Sequence, residues 1–194
     1  MVDHFRDGWG IVSKNPVAWV LYFVVLMGVA SVTMGLGILL GFNAVRGVRA
    51  AIEEDRGPDV SDLFVLENLQ RDLPALVIFF GGIAVGSAAA GIGGLIAQIL
   101  LGWTPLLATE DRFASGELWK ISLKAAQEDW QELLVFSLIA GAISFVSMML
   151  CGLPFLLALP VCAVAQWKLY ESHRDRLLEI GAQEGIALLE SSAE

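Results

Sequence analysis

The chain has 194 residues, of which 56% are apolar and 17% are charged, and its mean hydropathy is +0.68. A soluble domain carries about 25% charged residues, so the composition excludes an ordinary soluble globular protein and indicates a membrane protein. The formal net charge is −9, and no basic segment is dense enough to bind nucleic acid or to recruit the chain to anionic lipid.

The charged residues are segregated along the chain. Three windows contain no Asp, Glu, Lys or Arg, and they are residues 15–45, 73–109 and 133–167. They are 31, 37 and 35 residues long, whereas one membrane crossing needs about 20 apolar residues. Each window is therefore long enough for two short crossings joined by a turn.

A unit of about 58 residues occurs three times. Its starting marks are Pro16, Pro74 and Glu132, which are 58 residues apart. A break rich in glycine or proline follows each mark, at residues 35–37, 91–94 and 151–154. Breaks at matching offsets predict turns and an internal repeat. We therefore expect one membrane domain over 1–194, with pseudo-repeats 1–57, 58–114 and 115–172 and a cytoplasmic C-terminal tail, 173–194.

The simplest interpretation of each unit is an amphipathic helix followed by a short transmembrane helical hairpin. The chain is then an all-α integral membrane protein with about six membrane helices. Their predicted ranges are 17–34, 37–55, 74–88, 92–108, 133–149 and 154–172. Half of the 31-residue run provides about 14 residues, or roughly 21 Å of helix, against a hydrocarbon core of about 30 Å. The hairpins therefore draw in flanking residues, thin the bilayer or stop short of its far face.

Two features favour hairpins over three single spans. All tryptophans lie in or near charged segments, where they would anchor the protein at the membrane interface; they are Trp9, Trp19, Trp103, Trp119, Trp130 and Trp167. Hairpins also place all 12 Lys and Arg residues on one side, which the positive-inside rule makes cytoplasmic. We expect the bacterial inner membrane, with several passes and both termini in the cytoplasm.

The polar segments contain amphipathic patterns. Phe5, Trp9 and Val12 share one helical face. In the second segment, Ser61 is a candidate N-cap, followed by Leu63, Leu66 and Leu69 or Leu73. In the third, Ser115 is a candidate N-cap, followed by Trp119, Leu123, Ala126 and Trp130. These helices either lie in the headgroup region or cap the bundle.

Small residues spaced four apart allow helix backbones to approach closely. The pairs are Gly37 and Gly41, Gly82 and Gly86, Ser87 and Gly91, and Ser137 and Gly141. They predict packing within the chain or contacts in a homo-oligomer. The protein partner, if any, is not identified by the sequence.

The sequence contains no recognisable catalytic motif. Cys151 and Cys162 lack metal-ligand spacing, and His4 and His173 lie apart in polar segments. Glu110 adjoins an apolar run without a matching histidine or nucleophile. We expect no enzyme activity, no metal and no cofactor. Gln98 is the candidate for lining a polar path, although an interhelical hydrogen bond is the simpler interpretation.

Several segments resemble a known group of proteins. These are "DLF" at 62–64, "TPLLATED" at 104–111, "LWKISLKAAQEDW" at 118–130 and "CGLPFLLALP" at 151–160, with a closing aromatic at Tyr170. Together they resemble bacterial polytopic membrane proteins that are similar to the membrane domain of glycerophosphodiester phosphodiesterases. The resemblance implies a multi-hairpin helical domain of the bacterial inner membrane. The soluble catalytic barrel of that family is absent from this sequence, so no hydrolytic residue is transferred.

Two functions follow from these features. The first is a non-enzymatic membrane scaffold that self-associates and shapes the bilayer, because short hairpins with amphipathic helices on one side occupy unequal areas in the two leaflets. The second is a small channel or transporter, or an accessory subunit of a membrane transport complex, with a path near Gln98.

Overall fold

The structure is a computed structural model that describes residues 2–32, 40–88, 92–110, 112–149 and 153–186. Within these ranges the chain is helical and forms no β-strand, so the prediction of an all-α fold is confirmed there. The described α-helices, in chain order, are α1 (Val2–Val12), α2 (Pro16–Val32), α3 (Gly41–Glu53), α4 (Leu66–Ala88), α5 (Ile92–Leu101), α6 (Thr104–Leu107), α7 (Leu118–Glu128), α8 (Trp130–Met149) and α9 (Leu153–Gln183).

Two described helices are long and apolar enough to cross a membrane. They are α4, and Trp130–Ser147 within α8, with mean hydropathies of 1.4 and 1.5. Only 17% of the residues in the most apolar stretch of each are buried by protein, so their surfaces suit lipid. A third span is present if α1 and α2 count as one, but they are bent by 101° where they meet. The described ranges thus hold two to three candidate spans, and six crossings stay a prediction.

The chain divides into two compact units, each built from two separate segments. The first comprises Met1–Leu66 and Val135–Glu171, and the second comprises Glu67–Leu134 and Ser172–Glu194. These boundaries do not follow the predicted pseudo-repeats. The helices also begin at different positions relative to the repeat marks. The helix α2 begins at its mark, Pro16, whereas α4 begins eight residues before its mark, Pro74. The threefold repeat stays a prediction.

In the first unit, α1 packs its apolar face against later helices. Phe5 stacks on Phe136 of α8, with ring centroids 5.2 Å apart. Gly8 meets the backbone of α9, where an added Cβ would lie 2.8 Å from the carbonyl oxygen of Val161. Val12 is fully buried. Trp9, the third residue of the predicted face, is 53% exposed, so protein covers part of this face.

In the second unit, α4 and α5 form an antiparallel hairpin. A Cβ added at Gly82 would lie 2.6 Å from the side chain of Leu101. One added at Gly86 would lie 3.1 Å from Ala97, and would also overlap the carbonyl oxygen of Gly93. The contacts on α5 thus move toward its start as those on α4 move toward its end. The second uncharged run folds back on itself.

Several predicted helix ranges differ at their ends from the observed helices, and α4 begins at Leu66 rather than at residue 74. The predicted helix 92–108 stops at Leu101, and a separate short helix follows from Thr104. Pro105 explains this break, because proline removes a backbone donor and disfavours helical geometry in the preceding residue. The last predicted helix continues to Gln183, because no Gly or Pro interrupts the chain between Trp167 and Gly181.

The polar helices differ from their predicted faces. The buried face of α7 contains Leu118, Ile121, Ser122, Ala125 and Ala126, rather than the predicted face of Trp119, Leu123, Ala126 and Trp130. Ser115 is not an N-cap, because its hydroxyl donates to the carbonyl oxygen of Arg71 at 2.7 Å. Ser61 is not one either, since it lies inside a 3-10 turn that Asp59 caps.

Candidate functional site

A buried ion pair lies at the centre of the second unit. Glu110 ends the segment after α6, and its side chain is only 2% exposed. Arg174 on α9 donates to both carboxylate oxygens, from Nε at 2.8 Å and from Nη2 at 2.6 Å. This two-point geometry is the strong form of a carboxylate–guanidinium contact. The pair fastens the last part of α9 to the segment that follows the second apolar run.

A histidine and a tryptophan extend this polar cluster. The His173 ring lies 5.6 Å from the Trp103 ring, centroid to centroid. One ring nitrogen of His173 is 3.1 Å from Glu132, and the other is 3.1 Å from the hydroxyl of Ser172. The ring is therefore held on both sides. We call Trp103, Glu110, Glu132, His173 and Arg174 the Glu110 cluster.

The end of α5 is fixed to α7 beside this cluster. The Ser122 hydroxyl is fully buried; it donates to the carbonyl oxygen of Leu100 at 2.9 Å and accepts from the backbone N–H of Trp103 at 3.2 Å. These bonds satisfy backbone groups that the end of α5 leaves unpaired. Ser122 thus replaces the missing next turn of helix.

Exposed ion pairs surround the same unit. Arg176 donates to Glu128 at 2.8 Å, and this bond raises the pKa of Arg176. Lys124 donates to Glu184, and this bond lowers the pKa of that carboxyl. Both pairs join α7 to the end of α9. Because they are open to water, they contribute little to stability.

The Glu110–Arg174 contact is suited to holding helices together. The Glu110 carboxylate is neutralised by a bidentate guanidinium and is closed to solvent. Within the described ranges, no group of three or more His, Cys, Asp or Glu residues is arranged to hold a metal ion. The arrangement provides a rigid junction between α9 and the segment after α6.

The predicted small residues occupy different environments. Gly82 and Gly86 lie in the α4–α5 crossing, Gly41 and Ser137 are half-buried, and Ser87 is exposed on the α4 side of the turn. Gly141 faces open space, because an added Cβ would meet no atom within 4 Å. Gly37 and Gly91 lie outside the described residues. Contacts of any of these residues with a second copy stay a prediction.

The predicted interface tryptophans also divide by burial. Trp19, Trp103 and Trp167 are at most 2% exposed. Trp119 is half-buried, whereas Trp9 and Trp130 are 53% and 52% exposed. The exposed pair has the surface that a headgroup contact requires. Anchoring by any of the six stays a prediction.

Gln98, the predicted polar-path residue, is exposed on α5. It lies four residues before Gly102, which is roughly 6 Å along a helix axis.

Sequence reasoning missed the partner of Glu110. A carboxylate directly after an apolar run indicated burial, and a buried carboxylate requires a cation. The sequence has twelve Lys and Arg residues, and their spacing does not indicate that Arg174 is the one that pairs with Glu110. The sequence also gives no sign that His173 meets Glu132, although the fold brings them to 3.1 Å.

Comparison with known proteins identifies no relative: no protein-family model, curated protein or solved structure matches this chain. The resemblance to the membrane domain of glycerophosphodiester phosphodiesterases therefore stays a prediction.

Proposed function

We propose that the chain is a non-enzymatic integral membrane scaffold that self-associates and shapes the bilayer. The observation that carries this proposal is the outward apolar surface of α4 and α8, the two candidate spans. On α8, large apolar side chains with exposures of 44% to 72% follow helical spacing; they are Val135, Leu138, Phe145, Val146 and Met149. In water such a continuous apolar surface is unfavourable, whereas acyl chains cover it at no cost.

The charged groups support insertion by apolar helices rather than electrostatic attraction to lipid. In the part of the chain that the structure describes, at least ten Lys and Arg side chains lie within 4 Å of a carboxylate. Binding to anionic lipid needs cations that are free to meet phosphate groups. A paired surface with an acidic excess stays hydrated and faces the cytoplasm in this proposal, with both termini on that side of a bacterial inner membrane.

The short helix α5 supports a hairpin whose second arm does not reach the far face of the bilayer. The helix α5 has 10 residues, which is about 15 Å of helix against a hydrocarbon core of about 30 Å. Its partner α4 has 23 residues and is long enough to cross. A long arm with a short return occupies more area in one leaflet than in the other, and this asymmetry favours curvature.

The coverage of α1 refines the proposal. Part of the apolar face of α1 packs on protein through Phe5 and Gly8, which favours a capping role for that part of the helix in this proposal. The unequal cross-section therefore comes from the hairpins, and self-association would add their effects.

Reconstitution into liposomes tests the proposal. Vesicles with rising protein content should become smaller or tubular by electron microscopy, and chemical cross-linking should give oligomers in the same samples. Liposomes prepared without protein, through the same detergent removal, are the control. Vesicles of unchanged size and shape at high protein content would refute membrane shaping.

A second candidate function is a small channel or transporter, or an accessory subunit of one. The exposed amide of Gln98 on an apolar helix favours it, because an amide facing the membrane needs a polar partner. Solute flux into proteoliposomes that is lost in Gln98→Leu would support it. The variant Ile96→Leu, at a position 52% exposed on the same helix, is the matched control.

A further inference from the structure

Three consecutive large apolar side chains face outward in a polar part of the chain. Phe64, Val65 and Leu66 are 49%, 39% and 69% exposed. They lie between the charged residues Asp62 and Glu67. Single exposed apolar residues are ordinary, but a contiguous group of three marks a contact surface.

The backbone of the turn that carries these side chains is hydrogen-bonded by the side-chain amide of Asn43. Asn43 on α3 is 2% exposed. Its Nδ2 donates to the carbonyl oxygens of Leu63 and Val65, both at 3.0 Å. Leu63 is fully buried, so the backbone of the turn is anchored by packing as well as by hydrogen bonds.

The other end of the turn is charged and faces water. Asp59 accepts from the backbone N–H and from the hydroxyl of Ser61, both at 2.8 Å. These bonds lower the pKa of Asp59, so this carboxyl stays ionised at neutral pH. Arg56 pairs with Asp62 at 3.5 Å in the same turn. One end of the turn is thus ionic and the other is apolar.

We propose that the turn 59–66 is a preformed membrane-surface anchor, in which Phe64, Val65 and Leu66 insert among the headgroups and the first methylenes of the lipid. Chain continuity selects lipid as the occupant, because the candidate span α4 begins at Leu66. The charged end remains in water, as in other interfacial anchors. The proposal rests on the membrane placement proposed above.

Asn43 is the positioning residue for this anchor. Its side-chain amide donates to the backbone of the turn, at Leu63 and Val65, and it is too buried to touch lipid itself. Because the turn is held before it meets the bilayer, insertion requires no further ordering of its backbone.

Spin labels at two positions of the same turn test the proposal. In a Cys151→Ala, Cys162→Ala background, Phe64→Cys and Ser61→Cys are labelled separately and reconstituted. The ratio of collision rates with oxygen and with a water-soluble nickel chelate should be several-fold higher at position 64 than at position 61. Equal ratios would overturn the proposal. Shielding of position 64 from both reagents would also overturn it, because a protein partner would then cover the turn.

The variant Asn43→Ala tests the positioning role. It should increase the mobility of the label at position 64 and move its collision ratio toward that at position 61. Unchanged spectra would overturn this role. If the variant does not fold, Asp59→Ala provides the second test, since it loosens the opposite end of the same turn. Recovery of the protein in the soluble fraction without detergent would instead refute membrane placement, which separates the two failures.

Discussion

Arg174 donates two hydrogen bonds to the carboxylate of Glu110, at 2.8 and 2.6 Å, although the two residues are 64 positions apart in the sequence. The carboxylate is 2% exposed, whereas the arginine side chain is 37% exposed. Only Glu110 is buried, so losing the contact is most costly when the Glu110 carboxylate is left without the guanidinium, because water can still reach Arg174. This relationship makes the second unit the place where charge substitutions matter most.

Arg174→Gln should destabilise the protein by about 2–4 kcal/mol. Breaking a buried pair costs about 3–5 kcal/mol when a charge is left buried without its counterion, and here the charge that loses its guanidinium is Glu110, which is 2% exposed. Thermal unfolding in detergent, followed by tryptophan fluorescence, measures the effect. Arg176→Gln is the matched control, because Arg176 and its partner Glu128 are both open to water, at 59% and 38% exposure, and it should change the midpoint little. Equal midpoints for Arg174→Gln and the native protein would contradict the prediction.

Gly86→Ala should destabilise the α4–α5 hairpin by about 1–3 kcal/mol, as overpacking of a tight contact does. The added methyl group would overlap the carbonyl oxygen of Gly93, and backbone cannot move aside as a flexible side chain can. Unfolding by sodium dodecyl sulphate in mixed micelles is the measurement.

Gly81→Ala is the control for this crossing. An added Cβ there meets no atom within 4 Å, and alanine favours a helix over glycine by about 0.5–1 kcal/mol. This variant should be neutral or more stable. A loss of stability in both variants would contradict the prediction, because helix propensity favours alanine at both positions and the crossing would then not account for the loss at Gly86.

Gly141→Leu should weaken self-association without unfolding the protein. The position is exposed on α8 and an added Cβ meets no atom within 4 Å, so the larger side chain costs nothing within the chain. In an oligomer that packs through this surface, it would hold the helices apart. Light scattering coupled to gel filtration should give a smaller oligomer. An unchanged mass would exclude Gly141 from the interface.

Acidification should remove the contribution of Asp59. Its pKa in the folded state is lowered from 3.8 by the bonds from Ser61, so its ionised form stabilises the fold above about that pH. This stability is lost as the pH falls through the lowered folded value. Asp59→Asn keeps an acceptor but does not titrate. The difference in melting midpoint between the two proteins should stay constant above pH 5 and shrink below pH 4.

A constant difference down to pH 2 would contradict this assignment of the titrating group. Glu184 must be replaced by Gln in both proteins, because the bond from Lys124 lowers its pKa as well and it would titrate in the same range.

Described helices end at Val32, Ala88 and Met149. The predicted turns at 35–37, 91–94 and 151–154 lie wholly or partly outside the described residues, and their described part is helical, since residues 92–94 belong to α5 and residues 153 and 154 to α9. The turns themselves therefore stay predictions. The sequence does not predict the break after Leu101, because Gly102 and Pro105 lie inside an uncharged run. It does not predict the buried face of α7 either, since Leu118 and Trp119 are both apolar and only packing shows which one is buried.

The sequence by itself determined that the chain is helical and suited to a membrane, because partition into lipid depends on the local density of charge. It also predicts turns at its glycine-rich and proline-rich breaks, since glycine and proline act on their own backbone. Only the tertiary structure decided that Arg174 meets Glu110, that Asn43 holds the turn before α4, and that Gly86 crosses Gly93. Those contacts join residues that are distant in the chain or lie on opposite sides of a turn. Their free energy exists only once the helices have packed.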